Sequence, residues 1–514
     1  MIFTALLLLC VVAFYFYNKN VYNYWKKKGV KHSKPILFLG TNAKNFLMQL
    51  SRSEIIEKVY WDFPNEKVVG FYNATRPELI IRDPELVKNV LMRDFTHFTA
   101  RGFAPDKSHV ETFLKNLFFV EGDLWKSLRT RMTPAFTSGK LRAMFPLIVE
   151  RAEKLEERAM SAVKLNKPID ARDLIARYAT EFIAVCGFGF ENDALKDDDC
   201  EFRQFGYDIF NPPFMQVIQS ILKMVFPKIF RRTKYFAHIE PRAHSMVNEL
   251  QRIRNYKPVG KHDFLDMLLE YKQKGPIEVE SIEKTGTDGK ALRFLFELDD
   301  DLIVAQILVF FAAGFETSSS ATSYTLHELA FNPEVQQKVH AEIDQVLARH
   351  NNKLSYDAVK EMTYLAMTFK EGMRKFPSLG YLFRECTKKY TFKELGLTID
   401  EGVKVLVSVQ GMHMDPKYWD KPEEFRPERF SKEEFTAEQK DIYNAFGSGP
   451  RNCIGERLGT MQSLAGLAVI LSKFTVEPAA NTLRHPPVVH TSDLVQNVKN
   501  GIPLMFKERI KHTL

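Results

Sequence analysis

The amino-acid sequence predicts a mainly α-helical fold with small β-sheets, held behind an N-terminal single-pass membrane anchor. Three observations carry this expectation. Residues Ile2 to Tyr17 are apolar except for Thr4, and Tyr22, Tyr24, Trp25 and then Lys26-Lys27-Lys28 follow. Helical patterning dominates residues 140–272, and an almost all-round apolar run extends from Leu302 to Phe315. Strand-like runs are short: Val68 to Tyr72, Leu79 to Ile81 and Val403 to Val409.

The leading apolar run is slightly short for a membrane span, and the aromatic belt from Tyr15 to Trp25 lengthens it enough to cross. A cleaved signal peptide lacks support, because no basic n-region and no small-x-small site is present. Lysines on the C-terminal side put the main body on the cytoplasmic face. No Gly/Ser or Pro-rich linker divides the rest, so the expected organisation is an anchor over 1–25, a basic linker over 26–34 and one large domain over 35–514. At 514 residues, 45% hydrophobic and 26% charged, the chain can bury a large core, and its 42 phenylalanines point to a wide apolar interior. The net charge of +8 suits an anionic partner such as a membrane surface or an acidic protein. No basic block interleaved with aromatics occurs, which excludes a nucleic-acid-binding reading. The five cysteines are scattered without a CxxC, so neither a disulfide framework nor a structural zinc site is expected. The sequon Asn73-Ala74-Thr75 would accept a glycan only on a lumenal domain.

Along the globular part, Asp83-Pro84-Glu85 opens a helix with Asp as cap and Pro in the first turn. The phenylalanine-rich residues 95–120 read as a loop over a cavity. Trp125 and Arg129 lie one turn apart on one helix face, which suits either a site or a surface cation–π pair. The polar, Gly-punctuated piece from Gly275 to Lys290 reads as a loop. Asp299-Asp300-Asp301 starts a helix that is apolar on every face apart from Gln306, as befits the centre of a large protein. At its end, Ala313-Gly314 leaves room for a ligand, and Glu316-Thr317 pairs an acid with a hydroxyl, a proton relay by chemistry. The alternative is that Thr317 back-bonds to its own helix and Glu316 is exposed. Tyr356 to Phe376 reads as a helix carrying Glu371 and Arg374, and the proline-rich stretch from Asp415 to Phe430 offers Arg429 to the same cluster.

The most pointed stretch is Phe446-Gly447-Ser448-Gly449-Pro450-Arg451-Asn452-Cys453-Ile454-Gly455, followed by an apolar helix. A cysteine ahead of a helix N-terminus is favoured as thiolate, and Arg451 offers a fork for a carboxylate. A buried structural thiol is the ordinary alternative for a lone cysteine. Five segments together decide between them. Phe-x-x-Gly-x-Arg-x-Cys-x-Gly over 446–455, Glu371-x-x-Arg374, Pro427-Glu428-Arg429-Phe430, Ala313-Gly314-x-Glu316-Thr317 and Trp125-x-x-x-Arg129 resemble, in order, the signature segments of cytochromes P450, most closely insect microsomal members of family 6.

That resemblance implies a haem-thiolate monooxygenase on the endoplasmic-reticulum membrane with its catalytic domain in the cytoplasm. It would use haem b, O2 and a lipophilic substrate, with electrons from NADPH through a membrane-bound reductase and with cytochrome b5 as a further donor. Cys453 would be the axial ligand. Arg101, Trp125, Arg129, Arg384 and Arg451 would hold the propionates, and Phe446 would shield the sulfur. Glu371, Arg374 and Arg429 would form a structural network. Thr317 and Glu316 would serve oxygen activation and proton delivery. Substrate-pocket candidates are Phe103, Phe113, Phe210, Ala313, Leu379 and Leu382. Two alternatives are an oxygen-independent haem-thiolate isomerase or dehydratase and a non-catalytic haem- or lipid-binding membrane protein. The chain departs from the family where Pro377-Ser378-Leu379-Gly380 precedes Phe383-Arg384 and where the hinge after the anchor is reduced to Pro35.

Overall fold

The structure, a computed structural model, describes residues 15, 19–103, 110–261, 263–286, 288–490 and 494–509. The apolar run from Ile2 to Tyr17 falls, apart from Tyr15, outside the described residues. Five helices build the surroundings of the site: α1 (Gly122–Met132), α2 (Ala171–Phe188), α3 (Asp300–Phe331), α4 (Thr363–Lys375) and α5 (Glu456–Lys473). The main sheet contains β1 (Val68–Asn73), β2 (Arg76–Ile81), β3 (Tyr381–Glu385) and β4 (Lys404–Ser408) in the order β1-β2-β4-β3. Mainly helical with small sheets, the architecture matches the expected class.

The apolar run of the sequence becomes the axis of the molecule. Asp299 caps α3, its carboxylate accepting the Leu302 N–H at 2.7 Å. Nearly every side chain from Leu302 to Leu329 is buried, against α2, α4 and α5. Among the described residues α3 alone is long and apolar enough to cross a membrane, and its burial identifies it as a core helix. In the sheet, the β1–β2 hairpin pairs Val68 with Ile81, β2 runs parallel to β4, and β3 runs antiparallel to β4 with Arg384 opposite Val405. Asp83 caps its helix as read, accepting the N–H groups of Glu85 and Leu86.

Three local expectations change. The piece read as a loop from Gly275 is a β-hairpin of strands Ile277–Thr285 and Ala291–Phe296. Ile277, Val279, Phe294 and Phe296 share its inner face, while Glu278 and Glu280 point outward, so polarity hid a period-two pattern. The hairpin is pinned to α1 by Asp123, which accepts from the Ser281 hydroxyl and the Ile282 N–H. The helix read from Tyr356 to Phe376 is two helices, because Met362 leaves helical geometry at ψ 71° and buries its side chain. Glu342 then satisfies the start of α4 through the N–H groups of Tyr364 and Leu365. Finally, Trp25 is fully buried on the sheet, its indole N–H donating to the Phe71 carbonyl at 3.1 Å, so the aromatic belt ends in globular packing. Asn73 of the sequon is also buried, its side-chain oxygen accepting from Asn42.

Candidate functional site

The loop before α5 is folded on itself. Cys453 N–H donates to the Phe446 carbonyl at 2.8 Å, and Asn452 N–H donates to Gly449 O at 3.0 Å. Gly447 and Gly449 have φ of +70° and +74°, where a side chain is strained. They serve different ends. A Cβ on Gly449 would collide with the Leu91 carbonyl, whereas one on Gly447 would meet nothing closer than 3.8 Å, because Gly447 faces a cavity.

That cavity, about 280 Å³, is lined by this loop, by Trp125 and Arg129 of α1, by Ala313 and Thr317 of α3 and by Arg384 of β3. Cys453 has accessible surface although it lies deep in the protein, because that surface is cavity wall. Burial pushes its thiol up to about 11, with the Gly455 N–H, Arg129 and Arg101 pulling the other way. The helix terminus alone therefore does not make the thiolate that the sequence suggested. Cys186 also lines the cavity, and burial pushes its thiol up to about 12.

Four guanidiniums converge here. Arg101 donates to Phe118 O and Arg451 O, Arg129 to Asn452 O and Oδ1, Arg384 to Phe383 O, and Arg451 to Thr99 O and Val120 O. Among the described residues none of the four has a carboxylate at ion-pair distance. Desolvation holds Arg384 down to about 10, and desolvation with the nearby Arg384 charge holds Arg451 down to about 9. Arg384 Nε and Arg451 Nη1 are buried without a hydrogen-bond partner. Buried unpaired cations beside orphan donors are costly unless an anion joins them. The set therefore fits a bound dianion in the cavity that Cys453 shares, as the two propionates of haem would provide. The alternative of a surface Trp125–Arg129 cation–π pair does not hold: Arg451 lies over Trp125, 4.4 Å from the ring centroid, and Arg129 grips Asn452.

On α3, the two readings of Glu316-Thr317 divide. Thr317 back-bonds to Ala313 O at 2.7 Å, yet it lines the cavity. Glu316 is neither exposed nor cavity-lining. It is buried against Arg172 of α2, with Oε1 2.6 Å from Nη2, and also accepts from Asn497. Both members of the small pair line the cavity, and Gly314 also lets α2 approach, since a Cβ there would lie 3.0 Å from Ile183.

Glu371, Arg374 and Arg429 meet in one buried cluster. Glu371 accepts from Arg374 at 2.7 and 2.9 Å, from Arg429 at 3.1 Å and from the Arg426 N–H at 3.0 Å. Both arginines then cap carbonyls of the proline-rich stretch, among them Pro422 O and Asp420 O. A residue missed in the sequence extends the cluster toward the cysteine loop. His413 is fully buried, its Nδ1 donates to Arg374 O at 3.2 Å, and its Nε2 accepts from the Asn444 N–H at 3.2 Å. Asn444 in turn accepts from Ser448. Arg172, Asn497 and Asn444 likewise carried no motif, because their partners lie far away in the chain. Leu379 and Leu382 line the cavity with Ala313 and Phe446. Phe103, Phe113 and Phe210 do not: Phe113 stacks on Phe236 at 4.0 Å, Phe103 tilts against Phe119 at 4.4 Å, and Phe210 leans on Phe315 at 6.2 Å.

A family model described as Cytochrome P450 matches residues 38–504. Cytochrome P450 6B6 of Helicoverpa armigera is 37% identical over 506 residues, covering 97% of this chain and 97% of that protein. Cytochrome P450 6k1 of Blattella germanica is 34% identical over 501 residues, covering 96% and 95%. Cytochrome P450 6d1 of Musca domestica is 32% identical over 490 residues, covering 91% and 92%.

Proposed function

This chain belongs to the cytochrome P450 family, as a haem-thiolate monooxygenase resembling insect family 6 members, and on that premise we propose that it oxidises lipophilic organic molecules on the endoplasmic-reticulum membrane with electrons from NADPH through a reductase. The observation that carries this reading is the sharing of one apolar cavity by Cys453, Thr317 and four guanidiniums that, among the described residues, have no carboxylate at ion-pair distance. The apolar part of residues 1–25 would anchor the chain, with Trp25 already packed on the sheet, 26–34 would link it and 35–514 form the catalytic domain on the cytoplasmic face.

Haem, when bound, supplies the activation of O2, and its chemistry is the cofactor's own. Cys453 would hold its iron through the thiolate. Arg101, Arg129, Arg384 and Arg451, with Trp125, would hold its propionates, which would neutralise the convergent positive charge and partner the orphan donors. Phe446, whose carbonyl accepts the Cys453 N–H and which lines the same cavity, would exclude water. Ala313, Leu379 and Leu382 would offer apolar wall to a substrate, whereas Phe103, Phe113 and Phe210 would act at one remove by supporting that wall.

The Thr317 hydroxyl gives its own proton to Ala313 O, so its oxygen is open to accept a hydrogen bond in the cavity. For Glu316 to pass a proton to that position, its side chain would have to leave Arg172 and Asn497 and swing toward the cavity. Glu371, Arg374 and Arg429 would hold the proline-rich stretch and, through His413 and Asn444, the loop that presents the sulfur. The test is turnover of a panel of lipophilic compounds by the full-length chain with NADPH and P450 reductase, scored for O2-dependent product. Turnover of a hydroperoxide alone, without reductase or O2, would point to the isomerase-type alternative. A protein that binds haem but turns over no compound under either regime would defeat the enzymatic reading.

A further inference from the structure

Gln306 is the one polar interruption in the apolar run of α3, and the roles given above leave it unused. It is fully buried. A carboxamide in such a place is unfavourable unless bonded, and leucine would complete the helix face without that cost. Its bonds lie mostly outside its helix. Oε1 accepts the Leu117 N–H at 2.8 Å, and Nε2 donates to Lys115 O at 3.0 Å and to Leu302 O at 3.2 Å. The orientation of the amide follows from its partners, since Leu117 N–H needs an acceptor and Lys115 O a donor. Gln306 thus serves residues 115–117 as a strand would, satisfying one backbone donor and one acceptor of a segment with little regular structure.

That segment is cavity wall. Leu117 and Phe118 both line the cavity, as do Val309, Phe310 and Ala313, which follow Gln306 along α3. Beyond Gln306 the wall is held by Arg101, which donates to Phe118 O at 2.6 Å and stacks on the Phe118 ring at 4.0 Å. On its other side Glu111 accepts the N–H groups of Tyr235 and Phe236, tying the segment to the chain that follows the helix Phe214–Val225. Against α3 itself, Thr112 and Lys115 reach Asp301 in the first turn, at 3.3 and 3.7 Å, whereas Gln306 bonds the backbone at Leu117, where the cavity wall begins.

We propose that Gln306 is a positioning residue that determines specificity: it sets the distance of the Leu117–Phe118 wall from α3 and so the width available to a ligand above Ala313. This deepens the reading of the cavity as a haem and substrate site and rests on it.

The test uses the haem-loaded full chain and two probes whose nitrogen ligates haem iron, imidazole and 4-phenylimidazole, with binding followed by the haem absorbance shift. Imidazole adds only the ligating ring, whereas the phenyl group of the second probe occupies more of the cavity that Leu117 and Phe118 line. Gln306→Met keeps side-chain length but neither accepts from Leu117 nor donates to Lys115. It is expected to retain haem and the wild-type reduced-CO spectrum and to hold imidazole affinity within about twofold, while shifting 4-phenylimidazole affinity by about tenfold or more. Equal shifts for both probes, or none for either, would overturn the proposal, because a merely structural role moves the two together. If Gln306→Met yields no haem-loaded protein, Gln306→Glu replaces it. This variant keeps the bond to Leu117 and loses the one to Lys115, so a shift of the affinity ratio by less than about tenfold is expected, with an unchanged ratio counting against the idea. Failure of both variants to hold haem would make Gln306 a general folding residue and end the proposal. A wild-type protein lacking a thiolate-type CO spectrum would instead sink the haem reading and this inference with it. A normal wild-type spectrum with an unmoved ratio in the variants sinks only the role of Gln306.

Discussion

Two fields meet at Cys453. Burial favours the thiol, while the Gly455 N–H and the charges of Arg129 and Arg101 favour the thiolate, and burial prevails in the chain alone. A cation against the sulfur reverses that balance, since a coordinating thiol is deprotonated outright. Cys453→Ala should therefore abolish the red-shifted absorbance of the reduced CO complex. Persistence of a thiolate-type spectrum in this variant would transfer the ligand role elsewhere. The arginines give a prediction of opposite sign in the two states. Without an anion Arg384 and Arg451 repel, so Arg384→Met should leave the melting temperature of the haem-free chain unchanged or raise it. With haem bound the same change removes a charge-assisted partner, and haem transfer to apomyoglobin should quicken about tenfold, the equivalent of ~1.4 kcal/mol. A lowered melting temperature of the haem-free chain together with slower haem loss would contradict the assignment of this cluster to an anion.

At the scale of elements, the site depends on contacts between pieces that no local pattern joins. Glu371 and Arg374 are a helix i, i+3 pair, which on a surface would contribute little. Here both are fully buried, and Arg429 arrives from a 3-10 turn far along the chain. Removing Arg429 leaves Glu371 short of a partner and takes from Asp420 O the guanidinium that donates to it, while Lys421 O and Glu424 O keep donors in the Glu424 N–H and Arg374. Arg429→Met should cost about 3–5 kcal/mol in chemical unfolding, far above a surface pair. A loss under about 1 kcal/mol would mean that water or a neighbour takes over the role. The Glu316–Arg172 contact joins α3 to α2 in the same manner and gives the acid of the acid–hydroxyl pair a resting place outside the cavity.

Over the whole molecule, what could be read in advance was whatever lies within one element or one loop. The cysteine loop, the helix caps at Asp83 and Asp299, the apolar α3 and the β1–β2 pair are local, and the chain spells them. The hairpin at 277–296 escaped because its outer face is charged. The position of Glu316 escaped because Arg172 and Asn497 stand far from it in sequence. Phe103, Phe113 and Phe210 looked like pocket residues because aromatic composition does not separate a wall from the layer behind it. His413 escaped for the same reason as Glu316, and it carries a consequence for the entire fold. Its imidazole bridges Arg374 O and the Asn444 N–H, an arrangement open only to the neutral ring. Burial, aided by the nearby Arg374 charge, holds it down to about 3. The unfolded chain takes up a proton on this ring below about pH 6.5 and the folded chain does not, so stability is undiminished above that pH and lost as pH falls toward 3. The loss is ~1.4 kcal/mol per pH unit, or about 2 kcal/mol between pH 6.5 and 5. Other groups titrate in this window, so the expected outcome is a difference. Gln in place of His413 cannot be protonated, and His413→Gln, although less stable at pH 7.5, should lose about 2 kcal/mol less than wild type on going to pH 5 in urea unfolding. Parallel pH profiles for the two proteins would show that His413 titrates alike folded and unfolded, and that the link from α4 to the cysteine loop does not depend on a neutral ring.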